Sequence, residues 1–254
     1  MLRSKKFLIA FALLGFTHTA TASECSAKSG VATVPLLELY TSEGCSSCPP
    51  ADKWMRSIQS NKVTPLAFHV DYWNDIGWKD KFSKAEHSER QRKLATFGGA
   101  GFVYTPQFVM NGRDFRSWDN ARLNAIVEKN QKLASRANLS LNVATLENGA
   151  MLLNVGAQAI NLKEATNADV FVAIYENKLV TQVKAGENNG STLKHDYVVR
   201  EFFGAYQMRS QNAFSKDFNL HADWNKKDAG AVIFVQNSQT GEILQSLALS
   251  FRQC

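Results

Sequence analysis

The chain has 254 residues, with 29 lysines and arginines against 23 aspartates and glutamates, which gives a formal net charge of +6. Acidic and basic residues are interspersed, and three of the basic residues fall in an N-terminal leader. The charge therefore does not indicate a nucleic-acid partner. Without that leader, the remaining length suits two domains better than one.

The first 22 residues have the layout of a secretory signal peptide. Basic residues lie within positions 3–6, an uncharged apolar run covers 7–16, and Ala20-Thr21-Ala22 has the small-x-small pattern of a cleavage site. The apolar run is too short to span a bilayer, which takes about 20 residues. We expect cleavage after Ala22 and a periplasmic or secreted mature protein without a membrane span. An uncleaved N-terminal anchor is the alternative.

Four cysteines occur, two near the ends of the expected mature chain and two only three positions apart. In an oxidising compartment an even number indicates disulfides, and four cysteines allow three connectivities. We favour Cys45–Cys48 as one pair and Cys25–Cys254 as the other, a bond that would close a very long loop. The alternative is that Cys25 and Cys254 lie in frayed ends and never pair.

The first half of the chain alternates between strand and helix patterns. Residues 36–40 form an apolar run typical of a buried strand, and 41–45 are turn residues. The prolines at 49–50 suit a first helical turn, and apolar residues follow at helical spacing: Ala51, Trp54, Met55 and Ile58. Cys45 and Cys48 are therefore expected where a strand ends and a helix begins.

Further patterns complete a compact α/β unit that ends near residue 137. They are a second strand over 64–71, a helix after the capping-box pair Ser83 and Glu86, a hairpin at Asn111-Gly112, and a helix capped by Ser117.

After residue 137 the periodicity changes from helical to alternating. Short β-prone runs follow, separated by turn residues such as Asn148-Gly149: 139–143, 151–157, 168–175, 178–184, 197–203, 231–235 and 244–251. Several short strands with turn signals indicate a β-sandwich. We expect an α/β domain over 30–137 and an all-β sandwich-like domain over 138–254.

Cys45-Ser46-Ser47-Cys48 is a C-x-x-C motif, and two cysteines on one helical turn can form a disulfide. The thiolate is the nucleophile in disulfide exchange, and a free thiol with a pKa near 8.5 is only about 3% ionised at neutral pH. The unpaired N–H groups at a helix N-terminus favour the anion. We expect Cys45 to be the more exposed, attacking thiol and Cys48 to be the resolving thiol.

Residues farther along the chain are candidates for substrate binding. We expect Pro106 to be cis and to lie against the disulfide, which would leave the backbone of Thr105 free to pair with an extended substrate. Trp73 and Trp78 belong to a segment rich in aromatic and acidic residues. They either wall a substrate groove or cover the core beside it.

Charged residues near the motif are further candidates. Glu38, in a buried strand, would have a raised pKa and handle the proton of Cys48, unless it lies at an edge or on the surface. Glu43 is expected to be a solvated acid. His195 and Asp196 are expected to be structural or interfacial rather than catalytic.

Two other interpretations of the C-x-x-C motif remain open. The pair Cys45 and Cys48 forms an inert structural disulfide, or it supplies half of a tetrahedral metal site. No second C-x-x-C is present to complete such a site. His69 and Asp71, near the end of the neighbouring strand, would be the remaining ligands for copper or zinc.

Several long motifs resemble those of a bacterial secreted family catalogued as a domain of unknown function. They cover most of the mature chain: 38–52 (ELYTSEGCSSCPPAD), 68–73, 77–78, 89–91 and 104–107, with weaker matches at 186–188 and 195–200. The resemblance implies a thioredoxin-like fold with an appended β domain. By similarity to thioredoxins, Cys45 and Cys48 take the two cysteine roles and Pro106 the cis-proline role.

Two departures from thioredoxins limit this resemblance. Leu39 stands where thioredoxins have a buried acid, and Glu38, one residue away, would point to the opposite face of the strand. Ser46-Ser47 replaces the usual Gly-Pro between the cysteines, so the resemblance implies no redox potential.

The sequence thus predicts an α/β thioredoxin-like domain followed by an all-β sandwich-like domain. The expected function is an exported thiol–disulfide oxidoreductase that acts on exported proteins with thiols or disulfides and needs no cofactor. The rival is a non-enzymatic periplasmic protein with a thioredoxin-like fold that binds a metal or a partner. The sequence indicates neither the direction of electron flow nor the oligomeric state.

Overall fold

The computed structural model describes residues 24–145, 151–208, 213–220 and 225–254. The expected signal peptide, residues 1–22, and the expected turn at Asn148-Gly149 lie outside these ranges. Of the described residues, 43% are in strands and 19% in helices. None of the described helices is long and apolar enough to cross a membrane.

The described residues form fourteen strands, four α-helices and a C-terminal 3₁₀ helix over Phe251–Gln253. The helices are α1 (Pro49–Arg56), α2 (Ala85–Phe97), α3 (Asn120–Gln131) and α4 (Leu162–Thr166). The strands are β1 (Glu24–Lys28), β2 (Leu36–Thr41), β3 (Thr64–His69), β4 (Gln107–Met110), β5 (Arg113–Asp114), β6 (Ala137–Thr145), β7 (Met151–Ala159), β8 (Ala168–Glu176), β9 (Leu179–Gln182), β10 (Thr192–His195), β11 (Val198–Gln207), β12 (Ala213–Leu220), β13 (Ala229–Asn237) and β14 (Ile243–Ser250).

Eight strands form one mixed sheet in the order β14-β13-β8-β11-β3-β2-β4-β5. Strand β3 pairs in parallel with β2 on one side and with β11 on the other, where Val198 lies opposite Ala67. The other neighbours in this sheet are antiparallel. A second, antiparallel sheet has the order β1-β6-β7-β12, and β9 pairs with β10 in a separate ribbon.

The expected fold class, an α/β thioredoxin-like domain followed by an all-β sandwich-like domain, is wrong. The chain is mostly β-strand, and β2 to β5 share one sheet with β8, β11, β13 and β14. The physical reason lies at the edge of β3, where the backbone N–H of Ala67 donates to the carbonyl of Tyr197 at 2.8 Å. Strand β11 thereby pairs an edge that would otherwise stay exposed. Local periodicity predicts strands but not their partners.

Apolar side chains form one core between the two large sheets and two cores on opposite faces of β2 and β3. The first includes Leu141 and Leu153 of the four-stranded sheet and Ile174 of the eight-stranded one. On β2, Leu37 and Leu39 pack with α1 and α3, whereas Leu36 and Tyr40 pack on the opposite face. Since side chains alternate along a strand, this register decides which β2 residues can reach α1.

Several local predictions are confirmed, and two helix caps are wrong. The predicted hairpin is present as β4 and β5, with φ of 50° at Asn111 and 76° at Gly112, as a type I′ turn requires. Helix α2 has Lys84 rather than Ser83 at its N-cap. Helix α3 is capped by Asp119 rather than Ser117, because the Asp119 carboxylate accepts the N–H of Arg122 at 2.8 Å.

Both predicted cysteine pairs are confirmed as disulfides. Cys25 in β1 bonds to the C-terminal Cys254, with 5.1 Å between their Cα atoms, and Cys45 bonds to Cys48. Disulfides persist in oxidising compartments, so the two bonds are compatible with an extracellular or periplasmic protein.

Replacing Cys25 and Cys254 together with serine is expected to lower the free energy of unfolding by about 2–4 kcal/mol. The bond joins residues 229 positions apart, so its loss returns many conformations to the unfolded chain. Denaturant titration followed by circular dichroism measures the change. A loss below about 0.5 kcal/mol, the size of an ordinary surface substitution, would show that this bond does not constrain the chain.

Candidate functional site

The C-x-x-C motif lies at the junction between β2 and α1. Cys48 is the N-cap residue of α1, and Pro49 and Pro50 occupy the first helical positions. The backbone N–H of Cys48 donates to the carbonyl of Cys45 at 3.2 Å, which closes the turn. The Cα atoms of the two cysteines are 5.5 Å apart, within the ordinary range for a disulfide.

The disulfide lies just below the surface, and the expectation that Cys45 is the more exposed thiol is wrong. Both cysteines have 0% of their surface exposed, whereas Ser46 and Ser47 between them are exposed. The Ser47 hydroxyl lies 3.3 Å from the sulfur of Cys45. A hydroxyl at this distance can donate to the sulfur, and it would stabilise a thiolate there.

The segment between β9 and β10, residues 183–191, covers the motif and is called the covering segment below. The side-chain amide of Asn188 donates to the carbonyls of Glu43 and Cys45, both at 2.9 Å. The neighbouring Glu187 accepts the backbone N–H of Ser46 at 3.0 Å, and hydrogen bonding from the Ser46 hydroxyl together with this N–H holds the pKa of Glu187 below its ordinary value. These contacts hold the covering segment against the turn that contains Cys45, and they therefore explain why Cys45 is buried.

The Thr105–Pro106 peptide bond is cis, as predicted. The indole N–H of Trp73 donates to the Thr105 hydroxyl at 2.8 Å. A Cβ atom on Gly44 would lie 3.3 Å from that of Trp73. Trp73 therefore connects the Thr105 segment to the turn before Cys45, and its role toward a substrate stays a prediction.

Trp78 is hydrogen-bonded to a buried acid, Glu43. Its indole N–H donates to the Glu43 carboxylate at 2.9 Å. A Cβ atom on Gly186 would meet that of Trp78 at 3.0 Å, so the covering segment also packs against this side chain. The expectation that Glu43 is a solvated acid is wrong, because only 1% of its surface is exposed.

Beneath the disulfide, carboxylates surround two histidines. The second oxygen of Glu43 lies 3.5 Å from Nε2 of His195, whose Nδ1 lies 3.7 Å from Asp52 of α1. The rings of His195 and His69 meet edge to face, with centroids 4.9 Å apart. Nδ1 of His69 in turn lies 2.6 Å from Asp80. We call these five residues the buried polar cluster.

The charges in the buried polar cluster are mutually compensated. Burial disfavours a charge on His195, but the polar contacts and negative charges of Asp52 and Glu43, at 3.7 and 3.5 Å, outweigh it and raise the pKa of His195 to about 9. Burial acts against the Asp80 carboxylate as well, yet the charge and hydrogen bond of His69 hold the pKa of Asp80 below its ordinary value.

Glu38 is separated from the cysteines by the sheet. It is buried and shares the face of β2 opposite α1, where Nε of Arg90 donates to its carboxylate at 2.9 Å. Burial raises the pKa of Glu38, although the charge and hydrogen bond of Arg90 act in the other direction. The structure therefore brings Glu38 together with Arg90 and not with Cys48.

Sequence reasoning missed the buried polar cluster. His69 was singled out with Asp71, but the Asp71 carboxylate accepts the Ser88 hydroxyl instead. Asp52 was not singled out, and His195 was expected to be structural or interfacial. A signal that could have predicted the burial of His195 is the alternation in β10, where Leu193 and His195 are buried and the two residues at 192 and 194 are exposed.

The fold and the site define a mostly β protein with a covered C-x-x-C disulfide above buried histidines and carboxylates. The chain belongs to the family described as protein of unknown function DUF1223, which matches residues 36–236. The resemblance to a family of unknown function is thereby confirmed. A search among curated proteins finds no significant relative.

Two solved structures resemble the chain. A crystal structure of a protein from Agrobacterium tumefaciens has 25% sequence identity and a TM-score of 0.63, over 87% of this chain and 96% of that one. HBP35 of Porphyromonas gingivalis has 14% identity and a TM-score of 0.64, over 87% of this chain and 76% of that one. At that identity, the second likeness concerns the fold alone.

Proposed function

We propose that the protein is an exported thiol–disulfide oxidoreductase that works through Cys45 and Cys48. The observation that carries the proposal is their disulfide at a helix N-terminus, with the Ser47 hydroxyl 3.3 Å from the Cys45 sulfur. A hydroxyl donor and the positive end of α1 both favour a thiolate over a thiol at this position. The proposal rests on this local geometry and on no fold class.

The proposed reaction transfers two electrons between a substrate dithiol and the protein disulfide. A substrate thiolate attacks the sulfur of Cys45, the Cys45–Cys48 bond breaks, and Cys48 leaves as a thiolate that takes up a proton. The second substrate thiolate then attacks the mixed disulfide, which releases the substrate disulfide and leaves both cysteines reduced. The reverse sequence reduces a substrate disulfide, with Cys45 attacking and Cys48 resolving.

Access to Cys45 requires movement of the covering segment. Asn188 supplies two of the hydrogen bonds that hold this segment, both to carbonyls on either side of Gly44. The substrates we propose are exported proteins. Their extended backbone would displace the Asn188 contacts and pair with the backbone of Thr105. Trp73 and Trp78 border the same region through their bonds to Thr105 and Glu43.

Replacing Asn188 with alanine is expected to raise the alkylation rate of Cys45 in the reduced protein by about 5–30-fold. Two hydrogen bonds worth about 1 kcal/mol each would be lost, and the open population would rise accordingly. Peptide mapping by mass spectrometry follows Cys45 separately from the other cysteines. Asn189→Ala, which removes an exposed neighbouring side chain, is the matched control and should leave the rate unchanged. Equal rates in all three proteins would show that this segment does not limit access.

A stoichiometric oxidation assay tests the proposed function. The oxidised protein is mixed with a reduced peptide dithiol, and both are followed by mass spectrometry after acid quenching. We expect one peptide disulfide for each protein that converts Cys45 and Cys48 to thiols. Recovery of unchanged dithiol and intact protein disulfide would refute the proposal and leave the bond a structural one.

A further inference from the structure

Three residues distant in sequence bring potential metal-ligating atoms together beneath the disulfide. Asp52 comes from α1, His69 from the end of β3 and His195 from the end of β10. One ligand atom from each lies within 4.8 Å of the other two. At most 6% of the surface of any of the three is exposed. They are therefore fixed by the fold rather than gathered on a mobile surface.

Several polar atoms here have no hydrogen-bond partner. Among the described residues, they include Nε2 of His69, both ring nitrogens of His195 and one carboxylate oxygen of Glu43. A buried polar atom without a partner is costly, by about 1–3 kcal/mol in mutational data, and such atoms are rare in folded proteins. Ring nitrogens of His69 and His195 that lack such a partner, close to a carboxylate oxygen of Asp52, suggest that a ligand completes their coordination.

The neighbouring residues orient the candidate ligands as they do in metal sites. Asp80 lies 2.6 Å from Nδ1 of His69, which leaves Nε2 of that ring available as a ligand. Ligating histidines usually hold their other nitrogen against a carboxylate in this way. The Thr41 hydroxyl donates to one oxygen of Asp52 at 3.2 Å, while the other oxygen lies 3.7 Å from His195.

The ligand types select a class of metal. Imidazole nitrogen and carboxylate oxygen together suit zinc and related transition metals, whereas calcium and magnesium prefer oxygen ligands alone. Zinc binds such atoms at about 2.0–2.2 Å, so ligand atoms within 4.8 Å of one another would need only a small contraction. A divalent ion would replace the His195 proton in balancing the buried carboxylates of Asp52 and Glu43.

We propose that Asp52, His69 and His195 bind one divalent transition-metal ion of the zinc type. The site would lie one helical turn from the disulfide, because the backbone N–H of Asp52 donates to the carbonyl of Cys48 at 3.1 Å. It uses neither cysteine and does not depend on the proposed redox function.

Metal titration of the purified chain with both disulfides intact tests the site. The protein is stripped with a chelator, titrated with Zn²⁺ alone and separately with Co²⁺ alone, and its metal content is counted by mass spectrometry. We expect one ion per chain and visible Co²⁺ bands of a tetrahedral nitrogen–oxygen site. Zinc-edge X-ray absorption on the wild type should give two imidazoles and no sulfur, which keeps the test independent of variant folding.

Variants separate this site from the alternatives. Asp52→Asn and His195→Gln should each weaken Zn²⁺ binding at least about tenfold, and Asp80→Asn, which only positions His69, by about 10–100-fold. Asp71→Asn is the matched control, since Asp71 lies beside His69 but bonds Ser88, and it should bind as the wild type does. The Cys45→Ser/Cys48→Ser variant should also retain the ion.

Three outcomes would overturn the site. They are a wild type that binds neither Zn²⁺ nor Co²⁺, binding that is unchanged in both Asp52→Asn and His195→Gln, and binding that disappears with the cysteines. The last result would assign the metal to the C-x-x-C motif instead.

Discussion

Replacing Cys45 with serine is expected to reduce thiol–disulfide exchange to the rate of the buffer control. Serine keeps the size of the side chain but removes the sulfur that forms the mixed disulfide, and a hydroxyl does not substitute for it in thiol exchange. Reduction of insulin, or oxidation of a peptide dithiol, measures the rate. The fold should survive, because the other disulfide and the cores around β2 and α1 are unchanged.

Two further variants distinguish the roles of the cysteines. Cys48→Ser should accumulate a mixed disulfide between Cys45 and the substrate, because the resolving thiol is absent. Ser46→Ala is the matched control, since its side chain is exposed and lies in the same turn. Full exchange activity in Cys45→Ser would contradict the assignment of this residue as the attacked and attacking sulfur.

Replacing Glu38 with glutamine is expected to lower the free energy of unfolding by about 3–5 kcal/mol. The substitution keeps the shape but leaves the Arg90 guanidinium buried without a countercharge. Arg90 is enclosed by aromatic rings, with its guanidinium carbon 5.0 Å from the ring centres of both Phe171 and Phe234. Water therefore cannot readily replace the lost carboxylate. Denaturant titration provides the measurement.

The double variant Glu38→Gln/Arg90→Met isolates the interaction. Because it removes both partners, its loss should be smaller than the sum of the two single losses by about 0.5–3 kcal/mol. Arg122→Met is the exposed control, since Arg122 and Asp119 form a surface pair worth less than about 1 kcal/mol. Strictly additive losses would show that the two buried charges do not stabilise each other.

Local sequence signals predicted much of the secondary structure and the pairing of the cysteines. The β2–α1 junction followed from an apolar run, turn residues and two prolines, all within a short stretch. The strands of the second half were predicted where alternation is clear, as in β7, or where an apolar run is nearly continuous, as in β8. Strands β1, β10 and β12 were not predicted, and β10, with four residues, is too short to give a reliable periodic signal.

The sheet arrangement and the buried polar cluster could not be predicted from local patterns. The pairing of Val198 with Ala67 depends on which edges remain open after the strands form. Likewise, Glu43 and Asp52 follow turn and helix patterns that are usually solvated, and only the packing of β10 and the covering segment buries them. Burial of a polar side chain is a tertiary property, so the short alternation around His195 does not by itself predict which carboxylates surround that residue.

The reduction potential of the Cys45–Cys48 couple tests the central claim most directly. The protein is equilibrated in glutathione buffers, and then in dithiothreitol buffers, of known redox potential and is then alkylated. Mass spectrometry measures the fraction of these two cysteines that is reduced at each potential. We predict a potential within the range of known exchange proteins, about −120 to −270 mV, and a pair that equilibrates fully with the buffer. A potential below about −300 mV, the range of structural disulfides in secreted proteins, would contradict an exchange function.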